Sequence, residues 1–197
     1  MKKILIFILG MFFLSKGFGC ANNSDTLYAF THPKFFYSSQ CECSRFNFDY
    51  VYLFLYDTNA RYGIRTIIPA NFDVGHEVII VGKVGEYFRI KFRAIAPGDY
   101  EQDLDGKEFC VAKGNLGTWL YNYEKKTGRN IDIPLYETAS YDSKIISFVD
   151  SKNNVAIILD VKDNWMFVET IGENGGKKGW LSPANQCGNP YGPSEEG

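Results

Sequence analysis

The stretch "IDIPLYETAS" (131–140) decides the fold, because it repeats the pattern of "VYLFLYDTNA" (51–60) earlier in the same chain. In both stretches a short apolar run leads into Leu-Tyr, an acidic residue and Thr. A shared tetrapeptide can arise by chance, but a match that continues downstream marks an internal repeat. The residues that follow each stretch therefore decide the architecture.

The match does continue. The segment "EVIIVGKVGEYFRIKF" (77–92) aligns without a gap on "VAIILDVKDNWMFVET" (155–170), which places Tyr87 opposite Trp165. Each segment has a β-branched run, a turn containing Gly or Asp, and a second run led by an aromatic residue. This pattern is typical of a β-hairpin. The sequence therefore predicts an all-β fold made of two copies of one unit.

Alternation within "WMFVET" assigns the faces of the last strand of the hairpin. Successive side chains of a strand point to opposite faces, so Trp165, Phe167 and Glu169 share one face. Met166 and Val168 are predicted to lie on the other face.

The two copies are predicted to end on a shared motif, "GTWLYN" around Trp119 and "KGWLSP" around Trp180. From Tyr87 to Trp119 the chain runs 32 residues, whereas from Trp165 to Trp180 it runs 15. This comparison predicts an acidic insertion of 17 residues in the first copy, within 93–113. Its Pro and Gly content is typical of a loop.

The repeat divides the chain into modules. Module one is predicted over 46–124 and module two over 131–188, with a polar linker between them. Residues 22–45 form an N-terminal extension that is expected to add an edge strand or to pack across the modules. Residues 189–197 form a tail rich in Gly, Pro and Glu, a composition typical of flexible segments.

The first 21 residues are typical of a secretory signal peptide. "MKK" precedes the apolar run "ILIFILGMFFL" (4–14), and small residues follow it. A run of this length is too short for a mature transmembrane helix. Gly19 and Ala21 suit ordinary signal-peptidase cleavage, whereas Gly19-Cys20 resembles a lipoprotein signal in which Cys20 is lipidated. Both alternatives predict export to the periplasm or cell envelope, with membrane contact only through a lipid on Cys20.

Four further cysteines agree with export. Cys41, Cys43, Cys110 and Cys187 form an even set, which in an exported chain predicts two disulfides. Cys41 and Cys43 are poorly placed to bridge each other, so each is expected to pair with Cys110 or Cys187. A zinc site is the rival interpretation, but this cysteine spacing fits one poorly.

The net charge and the aromatic content of the chain narrow the range of possible functions. The formal charge is -2, which disfavours a nucleic-acid binder. Aromatic residues make up 16% of the chain, including 13 Tyr and 16 Phe. Rigid amphipathic tyrosines favour both strands and ligand surfaces.

Module two resembles a bacterial SH3-like domain. The resemblance rests on "IPLYETAS" at the start, "WMFV" (165–168) in the centre and "GKKGWLSP" at the end, and it covers about a third of the chain. It implies a small five- or six-stranded barrel, and the internal repeat extends that expectation to module one. The expected architecture is therefore two SH3-like barrels in tandem, the first with a long acidic insertion.

The resemblance also implies a ligand site. SH3-type barrels hold extended chains against aromatic side chains between loops, although small barrels serve many functions. Tyr56, Tyr136 and Trp165 have a competing role in the fold itself, and for Trp119 and Trp180 a place in the core is favoured. The candidates are Tyr136, Tyr141, Trp165 and Trp180 in module two, and Tyr56, Tyr62, Tyr87 and Trp119 in module one.

Two functions remain open at this point. The first is an envelope module that binds peptidoglycan or a cell-wall peptide. The second is a periplasmic inhibitor or immunity-type factor that binds a partner protein through the acidic insertion. Paired aromatic grooves on both modules would favour the first, whereas a protruding acidic loop would favour the second.

Catalysis is not expected. His32 and His76 are the only histidines, and each cysteine of the mature chain is assigned to a disulfide. A Cys/His pair needs a free thiolate, and acidic pairs such as Asp103 and Asp105 lack Ca²⁺-loop spacing. The sequence predicts no cofactor and no metal.

Overall fold

The described part of the chain is all-β. In this computed structural model it contains thirteen strands and two short 3-10 turns, with no α-helix and no helix long and apolar enough to cross a membrane. The structure describes residues 27–31, 53–67, 76–94, 102–120, 132–149, 155–171 and 176–187. The predicted signal peptide with Cys20, the linker, the tail, Cys41 and Cys43 lie outside these residues.

The strands follow the chain in two groups. The first seven are β1 Leu27–Phe30, β2 Leu53–Tyr56, β3 Gly63–Ile67, β4 Glu77–Val84, β5 Tyr87–Ala94, β6 Glu108–Ala112 and β7 Gly117–Leu120. The remaining six are β8 Ile133–Tyr136, β9 Ile145–Val149, β10 Val155–Lys162, β11 Trp165–Thr170, β12 Lys178–Leu181 and β13 Gln186–Cys187. The 3-10 turns lie at Gln102–Leu104 and Pro183–Asn185.

Hydrogen-bonded neighbours form one continuous path of strands. Its order is β3-β2-β6-β5-β4-β1-β7-β10-β11-β12-β8-β9, and β13 pairs with β7 beside this path. Read inward from either end, the order is the same: β3-β2-β6-β5-β4 on one side and β9-β8-β12-β11-β10 on the other. We call β2–β6 half one and β8–β12 half two.

The central hairpins of the two halves match as the alignment predicts. In half one Val84 pairs with Tyr87 across a turn at Gly85, and in half two Lys162 pairs with Trp165 across a turn at Asp163. Gly85 and Asp163 both have positive φ, 58° and 53°. Gly adopts this left-handed conformation freely, and Asp adopts it more readily than most other residues.

The predicted equivalence of Trp119 and Trp180 is wrong. Trp180 lies in β12 and pairs with Tyr136 and Phe167, whereas Trp119 lies in β7 and pairs with Val155 and Cys187. The residue in the position of Trp180 is Cys110, because Cys110 pairs with Tyr56 of β2. The shared Trp-Leu dipeptide therefore belongs to strands with different partners.

This register also shortens the insertion. From Tyr87 to Cys110 the chain runs 23 residues, against 15 from Trp165 to Trp180. The extra length is eight residues, of which two lengthen β5 relative to β11 and six lie between β5 and β6. Residues 108–112 of the predicted loop form β6 itself.

One apolar core serves both halves. Buried side chains from half one, such as Leu55 and Phe88, belong to the same cluster as Leu135, Met166 and Leu181 of half two. These residues alternate with outward-facing ones along their strands, as expected of sheets with one buried face.

Strands β1 and β7 join the halves. β1 comes from the predicted N-terminal extension and lies between β4 and β7. β7 continues the path into β10, and Ile158 of β10 donates its backbone N–H to the carbonyl of Leu116 at 2.9 Å. The described part of the extension, residues 27–31, thus lies at the junction of the two halves and not at an edge of the sheet.

A charged contact spans the same junction. Lys83 of β4 donates through Nζ to Oδ1 of Asp160 at 3.0 Å and to the carbonyl of Val161 at 2.7 Å. Lys113, which follows β6, lies 3.4 Å from the same carboxylate oxygen. Burial alone would raise the pKa of Asp160, but the hydrogen bonds from Lys83 and Val161 and the nearby lysine charges lower it.

Candidate binding site

A row of apolar side chains crosses the outer face of half two. Ile145 of β9 pairs with Tyr136 of β8, Tyr136 with Trp180 of β12, and Trp180 with Phe167 of β11. Directly opposed residues of antiparallel strands share a face. The residues that alternate with this row along each strand, such as Leu135, face inward and are buried in the core.

Three aromatic rings meet at one end of this row. The Tyr136 ring lies 5.3 Å from that of Trp165 and 6.2 Å from that of Tyr141, and Tyr141 lies 4.8 Å from Trp165. All three contacts are edge-to-face, a favourable geometry for aromatic pairs. We call Tyr136, Tyr141 and Trp165 the ring cluster.

Local turn chemistry places Tyr141 over this cluster. The connection between β8 and β9 is held by Ser143, whose Oγ accepts from the backbone N–H of Thr138 at 2.9 Å. The backbone N–H of Ser140 also donates to the carbonyl of Thr138 at 2.8 Å. Tyr141 remains 61% exposed, whereas Trp165 beneath it is 6% exposed. Tyr141 is thus the ring of the cluster best placed to meet a ligand.

Phe167 is a site residue that the candidate set lacked. Its ring lies 5.4 Å from the ring of Trp180, beside the ring cluster on the same face. Alternation with Trp165 is the signal that could have identified it, since both belong to β11 and are separated by one residue. The predicted residues Tyr136, Tyr141, Trp165 and Trp180 therefore lie on one face of half two.

Half one carries a smaller aromatic pair. Tyr56 and Tyr87 contact edge-to-face at 4.8 Å between ring centroids. Burial, followed by the neighbouring Tyr87 hydroxyl, raises the pKa of Tyr56. Tyr62 is 73% exposed, and Trp119 lies apart on β7, packed against Ile157.

The row equivalent to the apolar row of half two has a different character in half one. Gly63, Tyr56, Cys110, Arg89 and Gly82 are successive cross-strand neighbours there. The row thus has one aromatic residue, whereas half two has Tyr136, Trp180 and Phe167 in line. The two halves share strand order but present unequal binding surfaces.

Cys110 is free and buried, so its predicted disulfide is wrong. Burial raises the pKa of its thiol, and the nearby Asp57 carboxylate adds to this, against the opposing effects of the Ala60 N–H and Arg89. Such a thiol stays protonated at neutral pH and is a poor nucleophile. Cys187 is disulfide-bonded, and its partner lies outside the described residues.

The predicted acidic insertion is folded against half one in the part that the structure describes. Leu104 of the 3-10 turn is fully buried, and Asp103 beside it lies 3.7 Å from Lys107. The backbone N–H of Gly106 donates to the carbonyl of Phe92 at 2.9 Å, which ties the turn to β5. The described part is a pinned turn and not a protruding loop.

Metal-ligating side chains do not cluster within the described residues. No group of three or more His, Cys, Asp or Glu side chains within them could hold a metal ion. His76 is fully buried at the start of β4, where its backbone N–H donates to Thr31 Oγ1 at 3.2 Å. His32 lies outside the described residues.

Comparison with known proteins adds no family assignment. No protein-family model matches the chain, and no curated protein matches it. NlpC1 and NlpC2 from Trichomonas vaginalis align with 82% and 83% of this chain at 12% and 15% identity, each with a TM-score of 0.26. An NlpC/P60 family protein from Bacillus cereus ATCC 10987 aligns with 57% at 19% identity and a TM-score of 0.17. The chain aligns with less than half the length of each, 45%, 48% and 36%, and the similarity is too low to support an argument.

Proposed function

We propose that the chain is a non-catalytic, exported cell-envelope protein of two SH3-like barrels in tandem that binds peptidoglycan or a cell-wall peptide. The observation that carries the proposal is the ring cluster of Tyr136, Tyr141 and Trp165 with Trp180 and Phe167 beside it. The signal-peptide pattern of the first 21 residues supports export.

The cluster suits an extended, partly apolar ligand. Its rings are fixed by edge-to-face packing, so they lose little conformational freedom on binding. Tyrosine hydroxyls and the exposed charges of Glu137 and Lys144 next to the row can hydrogen-bond to the amide or sugar groups of such a ligand. Half two is therefore the principal binding unit of the proposal, and Tyr56 and Tyr87 in half one are secondary.

The alternative, an inhibitor that plugs a partner protein through the acidic insertion, has weaker support. That function needs an acidic segment free to enter a partner. Burial of Leu104 and the contact of Asp103 with Lys107 hold the described part of the segment against half one instead. The aromatic face of half two is the better-supported site.

Sedimentation with purified peptidoglycan tests the proposal. The mature protein should pellet with peptidoglycan at low salt, and Tyr141→Ala should lower the affinity by about tenfold, equivalent to roughly 1.4 kcal/mol. Tyr62→Ala is the matched control, because Tyr62 is also an exposed tyrosine but lies in half one. Absence of the wild-type protein from the pellet, or equal losses for the two variants, would refute wall binding through half two.

A further inference from the structure

A buried side-chain amide lies behind the ring cluster. Gln186 of β13 is only 5% exposed, and its Nε2 donates to the carbonyl of Asn164 at 2.9 Å and to the carbonyl of Leu181 at 3.1 Å. Burial of an amide costs free energy unless its polar atoms are paired. An apolar side chain of similar size would fill the same space without that requirement. The two hydrogen bonds are therefore the feature that distinguishes a glutamine at this position.

The first hydrogen bond acts on the peptide group that carries Trp165. Asn164 directly precedes Trp165, so the Asn164 carbonyl and the Trp165 backbone N–H belong to one planar peptide group. Trp165 is the first residue of β11 and follows the turn at Asp163. Ends of strands open more easily than their centres. The bond from Gln186 holds this end of β11 in place.

The second hydrogen bond joins β12 to the same amide. Leu181 is the last residue of β12 and pairs with Met166 of β11. Gln186 therefore connects the start of β11 with the end of β12. Trp165 and Trp180, the two tryptophans of the site, lie at these ends.

Trp165 is the buried ring of the cluster. Its ring contacts both Tyr136, at 5.3 Å, and Tyr141, at 4.8 Å, and it lies beneath the exposed Tyr141. A displacement of Trp165 would therefore change both contacts. A binding site keeps its affinity when packing and supporting hydrogen bonds hold its side chains in place before the ligand arrives.

Gln186 is itself anchored outside half two. In the pairing of β13 with β7, Gln186 lies opposite Leu120 and Cys187 lies opposite Trp119. Thr118 of β7 also donates through Oγ1 to the carbonyl of Cys187 at 3.0 Å. The amide is thus held by the strand that joins the two halves and not by the strands whose ends it connects.

We propose that Gln186 is a positioning residue of the binding site in half two. Held by β7, its amide fixes the peptide group between Asn164 and Trp165 and so sets the Trp165 ring beneath Tyr141. The inference rests on the proposed function of the ring cluster. Because Gln186 is buried, it acts through Trp165 and not by touching the ligand.

Sedimentation with purified peptidoglycan tests the effect on binding. Gln186→Met keeps nearly the same size but removes both donors, and it should lower the affinity about tenfold, the factor equivalent to one ordinary hydrogen bond. Thr170→Val is the matched control. Thr170 is buried at the other end of β11, where its Oγ1 accepts from the Lys177 backbone N–H at 2.9 Å. Its loss should leave the affinity unchanged, with both variants shown to be folded by urea titration.

A spectroscopic measurement tests the position of Trp165 without any ligand. In protein labelled with 5-fluorotryptophan, the fluorine resonance of Trp165 is assigned through Trp165→Phe. It should shift or broaden in Gln186→Met and stay in place in Thr170→Val. Gln186→Leu replaces Gln186→Met in both experiments if the latter does not fold.

The two measurements separate this inference from the proposed function. Wild-type affinity in Gln186→Met, equal losses of affinity in Gln186→Met and Thr170→Val, or an unchanged Trp165 resonance in Gln186→Met would each overturn the positioning role. A wild type that does not pellet with peptidoglycan would refute the proposed function instead. The Trp165 resonance alone would then decide whether Gln186 positions the ring.

Discussion

Asp160 shows how a single carboxylate couples the two halves. It accepts a hydrogen bond from Lys83 of half one and lies near Lys113, which directly follows half one, and its pKa is held below the ordinary value of 3.8. A carboxyl whose folded-state pKa is lowered contributes stability above its unfolded pKa and loses that contribution as the pH falls through the folded value. The junction should therefore weaken in acid.

We expect Asp160→Asn to lower the unfolding free energy at pH 7 by about 1 kcal/mol or less, because the carboxylate is 35% exposed and solvent screens its ion pairs. The difference from wild type should shrink between about pH 5 and pH 2. Urea unfolding at several pH values measures it. Asp163→Asn, at an exposed position three residues further on, is the control. A difference that is independent of pH would contradict the assignment.

Cys110 is the residue at which cysteine counting failed. The even number of cysteines predicted two disulfides, but a count of cysteines does not show which of them are buried. Cys110 occupies the strand position that Trp180 has in half two. Its side chain points to a site closed by Tyr56 and Arg89, its neighbours on β2 and β5. Because Cys110 is buried between these two strands, a cysteine from elsewhere in the chain cannot reach its sulfur.

Alkylation followed by peptide mass spectrometry tests this placement. In the native, non-reduced protein the Cys110 peptide should be found unbridged and should react with iodoacetamide at least about tenfold more slowly than in urea. Burial and the raised pKa of the thiol both lower its reactivity. Recovery of Cys110 in a disulfide-linked peptide would show instead that Cys110 forms one of the two disulfides that the cysteine count predicts.

At the scale of elements, Gly179 lets β12 and β8 approach each other. A Cβ at this position would lie 2.8 Å from Cβ of Leu135 and 3.2 Å from the carbonyl oxygen of Tyr136. Neither atom belongs to a flexible side-chain end, so a methyl group would have to push the strands apart. The ring cluster depends on this spacing, because β12 lies between β8, which carries Tyr136, and β11, which carries Trp165.

We expect Gly179→Ala to destabilise the protein by about 1–3 kcal/mol, the usual range for overpacking. Gly82→Ala is the control, because a Cβ there meets only Arg89 side-chain atoms at 3.7 Å or more. Denaturant midpoints of the two variants give the comparison. Equal midpoints would mean that the close approach of β8 and β12 is not a constraint.

Much of this element-level structure could be predicted from sequence. The central hairpins of the two halves, with their turns at Gly85 and Asp163, follow from alternation and turn residues, which are local signals. The partner strands of a short strand are determined by residues far away in sequence. The similar motifs "GTWL" and "KGWL" therefore could not reveal that Trp119 pairs with Val155 while Trp180 pairs with Tyr136. For the same reason the ring cluster was predicted only as separate residues. Phe167 is different, because alternation with Trp165 in the same strand is a local signal that already places it on the face of the site.

At the scale of the whole molecule, β7 ties the two halves into one cooperative unit. It follows half one in sequence, yet it pairs with β10 and β13, and the buried core is continuous across both halves. Half two without β7 would expose the edge of β10 and the buried Ile157 and Ile158. Unfolding of the full chain should therefore occur in a single transition.

Two fragments test that coupling. Residues 131–187 lack β7 and should be largely unfolded, whereas residues 112–187 include it and should regain cooperative unfolding. Each fragment contains Cys187 as its sole cysteine, so the disulfide is absent from both and the comparison isolates β7. Circular dichroism and urea titration measure the difference. A stable, cooperatively folded 131–187 fragment would show that half two is an independent domain. β1 and β7 would then lie between the halves without making their folding cooperative.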